Sequence, residues 1–137
     1  MVLNHCGECA GPALFDGKPD VEAKWKQDIE TLGKLANVHA KVGGCTMTYN
    51  GWEFEKRDVP VGSEELATLL FPIYSHVIKS FGPAKCMFES NFPVDKVCLS
   101  YQVLWNAYKR VAASMQLSDE DKAHLFHGTA AKVYGLA

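Results

Sequence analysis

The chain has 137 residues, 47% of them apolar and 22% charged, which excludes a disordered polypeptide and sets the scale of one globular domain. A net charge of −2 gives no electrostatic reason to expect nucleic acid or an anionic membrane as partner. The longest apolar run, Leu69 to Tyr74, is far too short to span a bilayer.

The first segment, Met1 to His5, is short and apolar and reads as a buried strand. No basic stretch followed by a long apolar one opens the chain, so no secretory leader is expected. Five cysteines (Cys6, Cys9, Cys45, Cys86 and Cys98) without such a leader read as reduced thiols, and the expected location is cytoplasmic. A loop rich in Gly, Cys and Pro follows, from Cys6 to Pro19. Asp20 then caps a helix in which Val21, Trp25, Ile29, Leu32 and Leu35 recur at helical spacing, ending near Asn37. Val38 to Val42 alternates apolar and polar residues up to Gly43-Gly44 and predicts a second strand. The stretch from Cys45 to Gly62 reads as a long loop. Ser63 is the expected cap of a second helix reaching about Ser80, with Glu64 and Glu65 in its first turn and a kink expected at Pro72.

Phe81-Gly82-Pro83 breaks that helix, and Cys86-Met87-Phe88 is a third short strand. The loop Glu89 to Asp95 follows it. A third helix is expected from about Leu99 to Met115, with Tyr101, Leu104, Tyr108, Val111 and Ala112 on one face. Ser118 with Asp121 starts a last helix through Phe126, and Gly128 to Tyr134 continues as a short one. The alternation of strand and helix predicts an α/β fold with a parallel sheet, whose chemistry belongs at the C-terminal strand ends. Those ends are His5, Gly43-Gly44 and Ser90-Asn91.

A neutral His5 imidazole at a strand end suits a metal ligand or a side chain that holds a reacting group, against the plainer reading of a loop histidine held by hydrogen bonds. Cys6-Gly7-Glu8-Cys9 has the spacing of a thiol redox pair or half a zinc site. No second pair completes the zinc reading, and Gly11-Pro12 argues for a loop where a redox motif needs a helix. Lys41 points either into a barrel interior, if Val38, Ala40 and Val42 face helices, or to solvent; alternation alone leaves both open. Asn91 cannot act as a base but can bind a substrate oxygen or a water. Asp95 can serve as a base if the turn brings it inward, and is otherwise the exposed acid of an Asx turn. Trp52 and Arg57 suit a substrate lid, with Arg57 matched to a carboxylate; the alternative is a loop packed on its own aromatics.

Four segments in series carry a resemblance. They are Val2 to Gly7, Asn37 to Gly44, Phe81-Gly82-Pro83 with Cys86 to Lys96, and Leu125 to Tyr134. Together they resemble the amidohydrolase-related family, the amidohydrolase 2 branch of metal-dependent hydrolases with a (β/α)8 TIM barrel. The resemblance runs over residues 1–137 as the C-terminal part of such a domain, covering strands six to eight with their helices. It implies hydrolysis of a small lactone or similar C–O or C–N bond, with His5 as the sixth-strand histidine beside a bound water or divalent metal such as zinc. Asn91 falls where much of the superfamily carries a water-activating aspartate, and Cys9 where relatives often carry Pro. The family's first-strand His-x-His pair and fifth-strand histidine have no counterpart here. A closed barrel needs eight strands and about 250 residues. The expected partners are therefore a small-molecule substrate and either the missing N-terminal half or a second copy. The alternatives are a truncated non-catalytic fragment and a thiol module built on Cys6 and Cys9.

Overall fold

Parallel strands cannot be joined by tight turns, so each must return through a crossover, and the helical segments between the strands supply it. The computed structural model describes residues 1–8 and 10–136. Val2–Leu3 (β1), His39–Val42 (β2) and Cys86–Phe88 (β3) pair in parallel in the order β1-β2-β3. Val2 lies opposite His39, and Ala40 and Val42 lie opposite Cys86 and Phe88. The helices are Pro12–Phe15 (α1), Pro19–Gly33 (α2), Ser63–Phe81 (α3), Tyr101–Ser114 (α4), Asp119–Ala123 (α5) and Thr129–Tyr134 (α6). Among the described residues no helix is long and apolar enough to cross a membrane.

The register decides the faces. Ala40, Val42, Cys86 and Phe88 are all buried and belong to one core with Trp25 and Ile29 of α2, Leu66, Leu70, Tyr74 and Val77 of α3, and Leu104, Tyr108 and Val111 of α4. Each fully buried leucine of this set contributes roughly 1.5–3 kcal/mol of transfer free energy. His39 and Lys41 lie on the opposite face and stay half-buried. Of the two orientations that alternation allowed, the helices take the Ala40–Val42 face.

Several boundaries move from the sequence expectation, each for a local reason. β1 is two residues long because His5 already has φ +52°. α2 starts at Pro19, whose missing N–H costs nothing at a first helical position, and Asp20 sits in the first turn. It ends at Gly33, where Lys85 Nζ donates to the carbonyls of Gly33 (2.5 Å) and Leu35 (3.2 Å). A β-carbon on Gly33 would meet the Ser80 carbonyl, so α2 ends pressed against α3. Gly62, not Ser63, caps α3, which runs through Pro72; Ser63 Oγ instead accepts from Arg110 Nε at 3.2 Å and links α3 to α4. Ser100 caps α4 by accepting from the Val103 amide (3.2 Å). Ser118 caps α5 as expected, accepting from the Asp121 amide at 3.1 Å. The two expected last helices form one run, joined by a π-helical turn over His124–Gly128. The long loops hold further short elements: α1 in the first, and 3-10 turns at Thr48–Asn50 and Phe54–Lys56 in the second.

Among the described residues no fourth strand pairs with the outer edge of β1 or of β3. Three strands cannot close on themselves, and both edges keep unpaired main-chain groups.

Candidate active site

The three strands deliver their C-terminal ends to one place. His5, Cys6, Gly7 and Glu8 follow β1 with φ between +52° and +86°, so the chain coils left-handed as it leaves the sheet. Gly44 after β2 has φ +67°, and a β-carbon there would fall on the His5 imidazole. Gly43 is equally confined, since a β-carbon would meet the Glu89 carbonyl and Cγ. The two glycines are therefore the floor on which His5 and Glu89 meet. Glu89, directly after β3, brings Oε1 to 2.5 Å from His5 Nδ1 and accepts there from the His5 amide (3.1 Å). Lys41 Nζ stands 3.5 Å from Glu89 Oε2. Tyr108 donates its hydroxyl to the Glu89 carbonyl at 2.7 Å, which anchors this strand end to α4.

A second carboxylate lies beside this group. Asp95 is fully buried, with Oδ2 accepting from Thr46 Oγ1 (2.6 Å) and Oδ1 from Asn91 Nδ2 (2.9 Å). Burial pushes its carboxyl above the usual range, opposed by the Thr46 and Asn91 hydrogen bonds and the charge of His5, and assisted by Glu89. A raised folded-state pKa means that the native protein holds the proton where the unfolded chain has lost it. Asp95 therefore weakens the fold as pH rises from the ordinary aspartate range through its raised value, and the loss stays constant above that. Asp95→Asn is expected to be flatter than the parent across that acid window, read from urea unfolding free energies at stepped pH. Equal slopes would mean that burial does not govern this carboxyl.

The structure thus joins His5 and Lys41 through Glu89, and Asn91 to Asp95. Lys41 also lies under the Tyr134 ring, 5.9 Å from its centroid. Trp52 and Arg57 are held elsewhere. Trp52 donates its indole N–H to the Cys45 carbonyl (2.7 Å) and stacks on Phe54 at 5.8 Å. Arg57 pairs with Glu65 (2.7 Å) and covers the Phe54 ring at 4.9 Å. Their bonds are those of a loop packed on its own aromatics. Glu89 is the residue that sequence reading passed over, although a carboxylate directly after a parallel strand is itself a signal.

Cys9 lies outside the described residues. Cys6 is fully buried in a left-handed turn, with Sγ 3.8 Å from the Lys41 carbonyl. Cys45 is pushed well above the ordinary thiol range, first by its contact with Cys6 and then by burial, and burial raises Cys98 to about 11. Redox exchange needs an accessible thiolate, which these surroundings disfavour. Among the described residues no group of three or more His, Cys, Asp or Glu side chains could hold a metal ion.

Comparison with known proteins agrees with the geometry. A family model described as amidohydrolase matches residues 1–136. The protein y4mH of Sinorhizobium fredii is 33% identical over 98% of this chain and 38% of its own length. The L-fucono-1,5-lactonase of Burkholderia multivorans is 30% identical over 99% of this chain and 43% of its own. A solved amidohydrolase of Burkholderia multivorans superposes in two crystal forms. The form with bound HEPES has a TM-score of 0.82 at 27% identity, and the form with bound zinc 0.78 at 29%. Each covers 99% of this chain and 44% of the solved one. The chain therefore spans about two-fifths of the length of the relatives it matches.

Proposed function

Because this chain belongs to the amidohydrolase family and has the fold of part of a (β/α)8 barrel, we propose that it contributes the later strands of a hydrolase that opens a small lactone or a similar C–O or C–N bond. The observation that carries this reading is the meeting of His5, Lys41 and Glu89 from three neighbouring strands, where a parallel sheet presents its chemistry. His5 accepts the proton of a water as its oxygen attacks the lactone carbonyl. The ring C–O bond then breaks, and the proton passes to the leaving oxygen to give a hydroxy acid. Lys41 offers positive charge to polar substrate groups. Asn91, tethered by Asp95, offers its amide oxygen to water or substrate, and Asp95 positions Asn91 and is not the base in this scheme. A substrate role for Trp52 and Arg57 requires the loop from Cys45 to Gly62 to release the bonds described above.

Zinc is bound in one solved relative. The side chains of the described residues do not form a metal site by themselves. Were a metal held by the completed barrel, His5 Nε2 would be this chain's ligand to it and would orient the bound water in place of acting as the base. A partner segment completing the sheet edges, the rest of the barrel or a second copy, belongs to the same proposal. The buried free thiols Cys6, Cys45, Cys86 and Cys98 suit the reducing cytoplasm.

The test is His5→Ala in a polypeptide that carries these residues with a full set of eight strands, assayed by release of acid from sugar lactones. A fall in kcat/KM of about 100-fold or more is expected, the scale of a lost general base. An unchanged rate would remove His5 from the chemistry and with it the proposed mechanism.

A further inference from the structure

We propose that Glu89 is a positioning residue that fixes the proton of neutral His5 on Nδ1 and leaves Nε2 as the working acceptor atom; this rests on the proton-accepting role proposed for His5. A neutral imidazole carries one N–H and one lone pair, and the hydrogen bonds around it choose which nitrogen has which. An ionised carboxylate only accepts, so the ring nitrogen facing it must carry the hydrogen. Glu89 Oε1 faces Nδ1 at 2.5 Å and takes the His5 amide as well, at 3.1 Å. One oxygen thus holds both the main chain and the ring of the same residue, which restricts rotation of the imidazole. Among the described residues none bonds Nε2.

The surroundings hold Glu89 in turn. Its amide donates to the Val42 carbonyl at 3.2 Å, and its own carbonyl accepts from Tyr108 at 2.7 Å. Lys41 Nζ lies 3.5 Å from the other carboxylate oxygen and balances its charge. Gly43 and Gly44 leave room for the carboxylate and the ring. A plain ion pair would instead need a protonated imidazolium, in which both nitrogens carry hydrogen and no acceptor remains.

Nitrogen-15 spectra of histidine-labelled protein, recorded well above the ordinary histidine range and without substrate, test this. The His5 signals are identified by their loss in His5→Asn. In the parent His5 is expected as the Nδ1–H tautomer. In Glu89→Ala the population moves to the Nε2–H form that an unconstrained imidazole prefers, while Glu89→Gln, whose amide oxygen still accepts, retains much of the Nδ1–H form. Circular dichroism confirms that each variant keeps its fold; if Glu89→Ala does not, the parent and Glu89→Gln spectra decide. An Nε2–H or doubly protonated His5 in the parent overturns the proposal, as does a folded Glu89→Ala with the tautomer unchanged. The readout needs no turnover. A correct tautomer with an inactive His5→Ala supports both readings, and a correct tautomer with a fully active His5→Ala overturns the hydrolase mechanism alone.

Discussion

Tyr108→Ala is expected to lower the unfolding free energy by about 3–5 kcal/mol, the range for truncating a buried aromatic side chain. Tyr108 is fully buried, with its ring stacked on Phe88 at 4.6 Å and tilted against Tyr74 at 5.7 Å and Trp105 at 5.4 Å. The truncation leaves a cavity between α4 and β3 and removes the donor to the Glu89 carbonyl. Tyr108→Phe separates the two effects. It keeps the packing and leaves the carbonyl unsatisfied, at a cost of about 1–3 kcal/mol. Urea unfolding midpoints with an unchanged m value give both numbers. A loss below about 1 kcal/mol for the alanine variant would mean that this aromatic cluster does not carry the core.

Gly44→Ala is expected to damage the site more than the fold. An alanine at φ +67° carries the left-handed strain of about 1–2 kcal/mol, and its β-carbon occupies the place of the His5 ring. The imidazole must move off its Glu89 bond, and displacement of a reacting group by about 1 Å can cost roughly 100-fold in rate. The comparison is Gly62→Ala, where φ is −86° and a β-carbon meets nothing within 4 Å. That variant is expected to keep its rate and to lose no more than about 1 kcal/mol of stability, because Gly62 caps α3 and alanine caps a helix less well. Lactone hydrolysis by the eight-stranded polypeptide, with melting followed in parallel, distinguishes the two positions. A Gly44→Ala protein of parental rate would show that His5 does not need its observed position.

Much of the architecture is legible from local pattern. The apolar spacing of Trp25 and Ile29 and of Leu104, Tyr108 and Val111 predicts two helices, and these residues form the core; the start at Ser63 with Glu64 and Glu65 predicts the third. Boundaries were less legible, because ends are set by partners distant in sequence. Lys85 holds the carbonyls at the end of α2, and Arg110 holds Ser63. The site was legible in part. The strand-end rule selected His5, and Lys41 and Asn91 lie in or beside the same group. Trp52 and Arg57 suit a lid by residue type and loop length, and in the structure the loop's own stacking and Glu65 hold them.

The order of strands and helices follows from local pattern along a few turns of chain, and strands separated by helical crossovers imply a parallel sheet with its chemistry at the C-terminal strand ends. Which face of β2 meets the helices emerges in the folded chain, since a period of two assigns residues to faces without saying which face is covered. The fold likewise brings together His5 and Glu89, 84 residues apart. That pairing depends on strand register, on the left-handed turn after β1 and on two glycines that leave room for the ring and the carboxylate. No local pattern encodes that coincidence.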